Sequence, residues 1–456
     1  SNAEPVVSTA VISSFSWRWF GRPTEYRDQE STMNDILAKL ERSGSRIAAT
    51  PGPGLLGTYF TEDLIVEADG IDLSDVAEEI AAMPLLLNAA PIVWRLGGDW
   101  RSSHVDPALA GSLASVREAM RSLWPAYQWA GNVAGGPPEP PQETPRNGRT
   151  ALLFSGGLDS TFSGMRLLEE RPILVTVHGG LDLKLGDDAA WQAVRSSAYE
   201  LAEKFDLKVI TVRSNFVSVL SPKVSELCPG LPASWWAAIQ HGMGLTGVVA
   251  PIMAAVGADK LVVSATHTSG HAGGWGSHPK LEGQLRWSAG SVNHYGYDHS
   301  RTDKVHAVAE IARTRGVAPP KLLVCTATGR SENCLRCSKC LRTLGSVLVA
   351  GEQPEELGFD ISYANASKLL MRELPRHPAF TKNEVFAWGS IKDAAITELA
   401  RRPDDAFLRW LAELDIARTA RKACTRANLL RVPGKMLSML PGPIKATIRT
   451  TIKRLC

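Results

Sequence analysis

A glycine-rich loop between an apolar run and a helical pattern is the first feature of the sequence that could do chemistry. The loop consists of Ser155, Gly156, Gly157, Leu158, Asp159 and Ser160. Its glycines allow the backbone to approach a ligand closely, and the free N–H groups of the following helix attract an anion. A carboxylate at Asp159 makes sense beside phosphate if Mg²⁺ bridges the two groups. The loop lacks the Gly-Lys-Ser/Thr ending of the Walker type, which disfavours γ-phosphate transfer.

Four cysteines form a second chemical motif. They are Cys325, Cys334, Cys337 and Cys340, with the spacing C-x8-C-x2-C-x2-C. Four soft thiolate ligands with no open position are typical of a structural zinc site. An iron–sulfur cluster uses the same ligands and is one alternative, and unliganded buried thiols are another. The nearby cations Arg336, Lys339 and Arg342 would offset the negative charge of a zinc–tetrathiolate centre.

Histidines gather in the segment 266–299, which holds five of the chain's ten. Because the segment follows a predicted strand, we expect it to cover a substrate and to supply hydrogen-bond donors or a proton-transfer group. Its candidate substrate-contacting residues are His267, His271, Trp275, Ser277 and His278. A surface loop whose histidines have structural partners is the alternative. The spacings fit no standard metal-ligand pattern.

Two cations, Arg301 and Lys304, follow this segment at the start of a predicted helix. One helical turn apart, they can face the same anion. Positive charge near a transferring phosphorus atom stabilises the transition state, so we interpret both as candidate catalytic residues together with Asp159. Solvent-exposed helix charges are the alternative.

Short apolar strands that alternate with helices must position these residues. The expected strands are 150–154, 173–177, 208–212, 260–265 and 321–324, and the expected helices are 161–170, 188–204, 235–256 and 302–315. This α/β pattern predicts a parallel sheet covered on both faces. Ligands in such sheets bind beyond the carboxyl ends of the strands, where the glycine-rich loop would lie.

Compositional boundaries divide the chain into regions. Residues 131–149 are rich in Pro and Gly and predict a linker, because they can form neither a helix nor a central strand. Residues 4–130 predict a separate N-terminal α+β domain, and residues 150–351 a catalytic domain. The expected N-terminal elements are strands at 64–68 and 92–96 and a helix at 74–83. Residues 352–456 predict a helical C-terminal region with a basic tail, since ten Lys and Arg but no acidic residue follow Asp415.

The loop 155–160 resembles the signature of the N-type ATP pyrophosphatases, the PP-loop superfamily. The resemblance implies a sheet of the adenine nucleotide α-hydrolase-like type, ATP bound with its pyrophosphate on this loop, and attack at the α-phosphorus. It also implies that the end of the second strand, Val177 and His178, lies near the adenine. Related PP-loop enzymes have a lysine in a place comparable to Lys304, which supports the catalytic assignment of this residue.

The cysteine spacing is similar to the zinc site of one family in that superfamily, the 7-cyano-7-deazaguanine synthases. In that family a cysteine triplet precedes Leu-Arg, and here Leu341 and Arg342 follow Cys340. The similarity covers roughly residues 150–351, under half of the chain. The family carries Tyr-Pro-Asp-Cys-Arg after its fourth strand, whereas this chain has Ser-Gly-His at 269–271. We therefore expect a divergent relative with its own substrate.

Composition places few further limits on function. The chain has 456 residues, 44% of them hydrophobic and 21% charged, as in ordinary globular proteins, and its formal net charge of +3 does not indicate a nucleic-acid partner. Seven cysteines, four of them clustered, do not suggest a disulfide framework. Neither a signal-peptide pattern nor an apolar run of about 18 residues is evident. We therefore expect a reducing, cytoplasmic compartment.

These features together predict an ATP-dependent ligase that forms a C–N bond. A small-molecule carboxylate would attack the α-phosphorus of ATP, and ammonia or an amine would then displace AMP to give an amide, or a nitrile after a second ATP. ATP, Mg²⁺ and structural Zn²⁺ are the expected cofactors, and the sequence is compatible with a homo-oligomer. The alternatives are a tailoring enzyme that attaches a small molecule to a protein partner and a nucleotide-binding module without turnover.

Overall fold

The computed structural model describes residues 34–135, 148–271, 273–325, 331–376, 380 and 382–421. These residues belong to one compact unit, which begins at Met33. The start of the N-terminal region, the centre of the predicted linker and the basic tail beyond residue 421 lie outside the described residues.

Strands and helices alternate along most of the described chain. The strands are β1 (Asn34–Asp35), β2 (Leu37–Ser43), β3 (Arg46–Pro51), β4 (Leu64–Ala68), β5 (Asp99–Arg101), β6 (Asn132–Ala134), β7 (Thr150–Leu153), β8 (Ile173–His178), β9 (Val209–Ser214), β10 (Lys260–Ser264), β11 (Arg286–Trp287) and β12 (Gly290–Tyr295). The helices are α1 (Glu78–Ala81), α2 (Met83–Leu96), α3 (Pro107–Leu123), α4 (Leu158–Arg166), α5 (Asp188–Phe205), α6 (His241–Val256), α7 (Arg301–Thr314), α8 (Ser338–Ala350), α9 (Tyr363–Glu373), α10 (Lys382–Leu399) and α11 (Ala406–Glu413). A wider helical turn, Trp236–Gln240, leads into α6.

A nine-stranded mixed sheet is the centre of the fold, in the order β11-β12-β10-β7-β8-β9-β4-β3-β2. The five neighbouring strands from β12 to β9 are parallel. Helices cover both faces of β7 to β10, which explains why these four strands are rich in consecutive apolar residues. The chain proceeds from β7 to β9 in one direction and from β10 to β12 in the other, so the switch point lies between β7 and β10. The predicted α/β class is confirmed.

The strands before the predicted linker extend this same sheet. β4 pairs antiparallel with β9, and β3 and β2 continue outward. Asn215, directly after β9, joins the two segments, because its Oδ1 accepts from Ile65 N at 2.8 Å and its Nδ2 donates to Asp63 O at 2.8 Å. Where the sequence predicts a separate N-terminal domain, the hydrogen bonds between β4 and β9 instead place strands from both sides of the linker in one sheet.

Two hydrophobic clusters pack on the sheet. One contains the apolar faces of α2, α3 and α6, and Trp94 and Trp129 are buried in it. The other contains those of α4, α5, α7 and α8 together with the C-terminal helices α9 to α11. Trp388 of α10 is buried in this second cluster, which attaches the C-terminal helices to the sheet-covering layer. The helical character predicted for the C-terminal region is confirmed for its described residues.

Four element predictions differ from the structure. Residues 92–96, predicted as a strand, form the last turns of α2, because their apolar side chains continue the helix that begins at Met83. Residues 321–324, also predicted as a strand, are extended without a ladder; their backbone binds the Asn333 side chain instead. The helix predicted at 74–83 is confined to α1 and the start of α2. β12 was not predicted because most of its residues are polar or glycine.

The helical stretch Trp236–Val256 is long and apolar enough to cross a membrane, and it is the one such stretch among the described residues. In its most apolar stretch of 18 residues, 72% is buried inside the protein. The buried glycines Gly244 and Gly247 of α6 face α2, which allows the two helix backbones to approach closely. The apolar character of this helix is therefore that of a core element.

Gly247→Ala tests the close contact between α6 and α2. The added methyl group would lie 2.7 Å from the carbonyl oxygen of Met83. Because backbone must then shift, we expect the free energy of unfolding to fall by about 1–3 kcal/mol. The matched control is Gly111→Ala in α3, where the methyl group meets nothing within 4 Å and should raise stability by about 0.5–1 kcal/mol. Chemical denaturation measures both; equal effects would contradict the close packing.

Candidate functional site

The glycine-rich loop lies at the switch point of the sheet. It leaves β7 and enters α4, while Ala265 and Thr266 directly follow the neighbouring strand β10. A cavity of about 280 Å³ lies here, and residues of both loops, among them Ser155 and Thr266, line it. We call it the main cavity. Its place is the crevice where open parallel sheets bind their ligands.

Gly156 has a backbone conformation that only glycine adopts without strain. Its φ is +72°, and a Cβ at this position would lie 2.8 Å from Ser197 Oγ. Its carbonyl oxygen accepts a hydrogen bond from Leu323 N at 2.8 Å. The glycine is thus required both by the left-handed turn and by the close approach of α5.

The first turn of α4 is open to an anion. The residue before the helix is Gly157, and no side-chain hydrogen bond caps the helix. Ser160 Oγ lies 3.2 Å from both Ser155 N and Gly157 O, so this hydroxyl ties the loop together. Uncapped N–H groups and the roughly half positive charge of a helix N-terminus favour a bound anion. The phosphate-binding role of the loop stays a prediction.

Asp159, in the first turn of α4, is held by two cations of α7. Lys304 Nζ lies 2.7 Å from its Oδ1, and the Arg301 guanidinium lies 3.5 Å from its Oδ2. Burial opposes ionisation, but Lys304 and Arg301 outweigh it and hold the pKa of this carboxyl below its usual value. The three candidate catalytic residues therefore meet in one charged cluster.

Lys304 is almost completely buried, with 2% of its side chain exposed. Its ammonium group also donates to the carbonyl oxygen of Ala265 and lies 5.9 Å from the ring centroid of Phe162. A capping box, in which Ser300 and Asp303 bind each other's backbone N–H groups, fixes the start of α7. Lys304 thus joins α4, the end of β10 and α7.

Three cations line the main cavity: Arg301, Lys339 and Arg342. Lys339 Nζ lies 2.9 Å from Asp182 Oδ2, and Arg342 Nη1 lies 3.1 Å from Glu384 Oε1. Each cation is therefore oriented by a carboxylate. Since the cations outnumber the two carboxylates on the cavity wall, Asp159 and Asp182, the wall favours an anionic ligand.

The four cysteines of the sequence motif converge as predicted. The Sγ atoms of Cys325, Cys334, Cys337 and Cys340 all lie within 4.8 Å of one another. The hydrogen bond with Cys337, burial and the neighbouring sulfur atoms raise the pKa of the Cys340 thiol. The four sulfur atoms lie close enough together to share one ion, and the donor set fits a metal ion with four sulfur ligands.

The cysteine cluster is built into the wall of the main cavity. Cys325 lines the cavity, and Cys337 is the residue from which α8 starts, with its Sγ accepting from Cys340 N at 3.5 Å. The cavity cations Lys339 and Arg342 lie one turn apart in that same helix. The cluster consequently sets the position of two of the three cations.

Of the two residues predicted near an adenine, Val177 and His178, one lines the main cavity and the other does not. Val177 lines the main cavity, whereas the lining does not include His178. The imidazole of His178 stacks on Trp191 with ring centroids 4.7 Å apart. Trp236 and His241 supply an aromatic wall to the cavity instead, with centroids 4.7 Å apart.

His267, His271 and Trp275 form an aromatic group beside the main cavity. The rings of His267 and His271 stack with centroids 4.0 Å apart, and Trp275 lies 5.2 Å from His267. Burial, followed by His271 and Arg342, lowers the pKa of His267 to about 3, so this imidazole is neutral at physiological pH. His271 Nε2 lies 2.9 Å from Asn383 Oδ1 of α10.

Ser277 and His278 belong to a buried network around Glu282. Ser277 Oγ, His278 N and His294 Nδ1 lie 2.6, 2.8 and 2.7 Å from its carboxylate oxygens. Burial opposes ionisation of Glu282, but these hydrogen bonds outweigh it and hold the pKa of the carboxyl below its usual value. Ser277 also lines the main cavity, whereas the lining does not include His278. The network anchors the histidine-rich segment.

Several wall residues were not predicted as site residues. They are Asp182, Trp236 and His241, and Lys339 and Arg342 were predicted only as counter-charges to a metal. Glu282, which accepts a hydrogen bond from the wall residue Ser277, was not predicted either. One signal was available, because Glu282 is an acidic residue within a segment otherwise rich in His, Gly and Ser. The position of Arg342 after the cysteine motif, at the start of a helix, was another.

Comparisons with protein-family models, with curated proteins and with solved structures give no match to this chain. The resemblance to the PP-loop superfamily therefore rests on the loop at 155–160 and on the cysteine spacing. Function is inferred from the geometry of the described residues.

Removal of one cysteine tests the metal centre. Elemental analysis of the purified protein should give about one zinc per chain, with no visible iron–sulfur absorbance. Cys337→Ser should yield insoluble or poorly folded protein, because structural zinc contributes on the order of 10 kcal/mol of binding energy coupled to folding. The control, Cys228→Ser, alters a buried thiol outside the cluster and should retain the metal. Soluble, metal-free Cys337→Ser with wild-type stability would exclude a structural metal.

Proposed function

We propose that this chain is an ATP-dependent enzyme of the PP-loop type that activates a carboxylate by adenylation and transfers the acyl group to ammonia or an amine. One observation carries the proposal: an uncapped helix N-terminus at the switch point faces a cavity lined by three cations. A polyanion fits that wall, and the loop lacks the lysine on which Walker-type γ-phosphate transfer depends.

The cavity suggests an orientation for the nucleotide. The β- and γ-phosphates fit against the N–H groups of Gly157 and the first turn of α4, where the helix dipole favours negative charge. The base fits the opposite wall, to which Val177 and Trp236 contribute apolar surface. The α-phosphorus then lies between these walls, close to the side of the cavity lined by Arg301 and Thr266.

The proposed chemistry has two steps. A substrate carboxylate oxygen attacks the α-phosphorus, the bond from that phosphorus to the bridging oxygen breaks, and pyrophosphate leaves with the electron pair. The nitrogen of ammonia or an amine then attacks the acyl carbon, the bond to the AMP oxygen breaks, and a proton passes to solvent. Arg301 would offset the charge that develops at phosphorus, and Lys304 would act through Asp159, which it holds.

The described residues fit one of the two expected metal ions, Zn²⁺, better than the other, Mg²⁺. The four cysteines fit Zn²⁺ bound with sulfur ligands alone, and such an ion would fix α8 and take no part in the chemistry. Mg²⁺ prefers carboxylate oxygens together with phosphates, yet both carboxylates on the cavity wall, Asp159 and Asp182, are paired with cations. As arranged, the described residues neutralise phosphate through Arg301, Lys339 and Arg342 instead.

Nucleotide product analysis tests the proposed reaction class. Incubation of the full-length protein with ATP and a metabolite extract as the source of acids should generate AMP and pyrophosphate. This follows because the loop holds the β- and γ-phosphates together as one leaving group. Chromatography distinguishes AMP from ADP. ADP as the dominant product would contradict the proposal.

Asp159→Asn should reduce turnover about a hundredfold, which corresponds to about 3 kcal/mol of transition-state stabilisation. The substitution removes the charge that orients Lys304 and Arg301 while it keeps the size of the side chain. The control is Asp188→Asn, at an exposed carboxylate in the first turn of α5, which should keep wild-type turnover. Pyrophosphate release measures both.

A double variant separates loss of stability from loss of catalysis. Asp159→Asn alone leaves the buried Lys304 ammonium without its counter-charge, which commonly costs about 3–5 kcal/mol of stability. Asp159→Asn combined with Lys304→Met removes both charges, so we expect recovery of thermal stability without recovery of turnover. Wild-type turnover in either variant would show that the charged cluster has no catalytic role.

A further inference from the structure

A second, smaller cavity adjoins the main one. Its volume is about 40 Å³, and we call it the side cavity. Thr266, Arg301 and Arg342 line both cavities, so the two cavities meet at these residues. Because a water molecule takes up about 30 Å³ of the liquid, the side cavity is suited to a group of a few heavy atoms, such as a carboxylate.

The lining of the side cavity combines positive charge with unused hydrogen-bonding groups. Two guanidinium groups face it, from Arg301 and Arg342, and its lining contains no carboxylate. His267 Nε2 and Arg342 Nε are buried and have no hydrogen-bond partner among the described residues. The side chain of Arg342 that carries this unpartnered atom is 11% exposed. A ligand or an ordered water molecule in the side cavity can supply the missing partners of these two atoms.

The far wall of the side cavity comes from the C-terminal helix α10. Asn383, Phe386 and Ser390 of this helix line the cavity. α10 is fixed to α8 through Glu384, whose carboxylate accepts hydrogen bonds from both Ser338 and Arg342. The wall is therefore partly polar and partly apolar, and its position depends on α8, the helix that carries Arg342.

We propose that the side cavity binds the carboxylate of the acid substrate and that α10 selects which acid enters. The inference rests on the proposed function, since it places the attacking carboxylate beside the α-phosphorus, next to Thr266, Arg301 and Arg342, which line both cavities. Bidentate pairing with a guanidinium group is the usual way to bind a carboxylate with fixed orientation. Neutral His267 adds a hydrogen bond without a competing charge, and Phe386 limits the bulk next to the carboxylate.

Asn383→Asp is the most direct test. Asn383 lines the side cavity and is absent from the lining of the main cavity. The substitution preserves size and the acceptor for His271, but it adds negative charge beside the bound anion. Acetate serves as the probe, with its binding to the full-length protein followed by saturation-transfer NMR. Calorimetry with α,β-methylene-ATP, which cannot be cleaved at the α–β bond, reports on the main cavity.

Wild-type protein should bind acetate, and Asn383→Asp should weaken that binding by about tenfold or more through like-charge repulsion. Nucleotide affinity should stay within about twofold, because screening by solvent and ions reduces the effect at the main cavity. Asn365→Asp, the same charge change at an exposed position of α9, should leave both affinities unchanged. Phe386→Ala is a second, independent variant that enlarges the cavity and should allow benzoate to bind where wild type excludes it.

The outcomes separate this inference from the proposed function. Unchanged acetate binding in Asn383→Asp, or nucleotide binding without any acetate binding, would overturn the carboxylate subsite alone. Acetate binding that Asn383→Asp abolishes, in a protein that binds no nucleotide, would support the subsite and overturn the proposed ATP chemistry. Failure to bind either probe would overturn both. If Asn383→Asp does not fold, unchanged exclusion of benzoate by Phe386→Ala would overturn the selection by α10.

Discussion

A single buried ammonium group determines how the parts of the site are arranged. Lys304 has 2% of its side chain exposed, and removal of such a charge from water costs several kcal/mol unless counter-charge and hydrogen bonds replace the lost hydration. Asp159 supplies the charge and the carbonyl of Ala265 an additional acceptor. The glycine-rich loop, the loop after β10 and the first turn of α7 must therefore keep their relative positions for the ammonium group to keep these partners.

The cysteine cluster imposes a second constraint on the same site from the other side. It fixes the start of α8, and through α8 it fixes Lys339 and Arg342. Glu384 of α10 pairs with Arg342 of α8, so the position of α10 depends on that of α8. The site thus depends on two local arrangements: the ion pair of Lys304 and Asp159, and the cluster of four sulfur atoms. The described cations are held before any ligand arrives, which lowers the cost of ordering them around an anion.

Local signals in the sequence predicted the parallel strands well. Short apolar runs bounded by turns predicted β7 to β10 within a few residues, and the cysteine spacing predicted the convergence of four sulfur atoms. The pairing of β4 with β9 depends on contacts between segments about 150 residues apart, as in the bond from Ile65 to Asn215, and no local pattern encodes it. Residues 92–96 were wrongly predicted as a strand because a short apolar run is ambiguous without its neighbours.

The site was predictable where neighbouring residues act together and hidden where distant segments meet. The loop at 155–160 and the pair of Arg301 and Lys304 are local patterns. By contrast, Asn383 and Phe386 reach the side cavity only because α10 folds back on α8. Glu282 was missed for a related reason, since its partner His294 lies on β12, a strand that polar residues conceal.

The antiparallel addition of β4, β3 and β2 has a consequence for solubility. Without it, β9 would leave a row of unpaired backbone groups open to strand addition by another molecule. With it, the last described strand on that side is β2, where Lys39 and Glu41 are 64% and 52% exposed and a register shift interrupts the ladder. The opposite margin ends in β11, which is two residues long. Short, charged and irregular margins of this kind resist edge-to-edge aggregation.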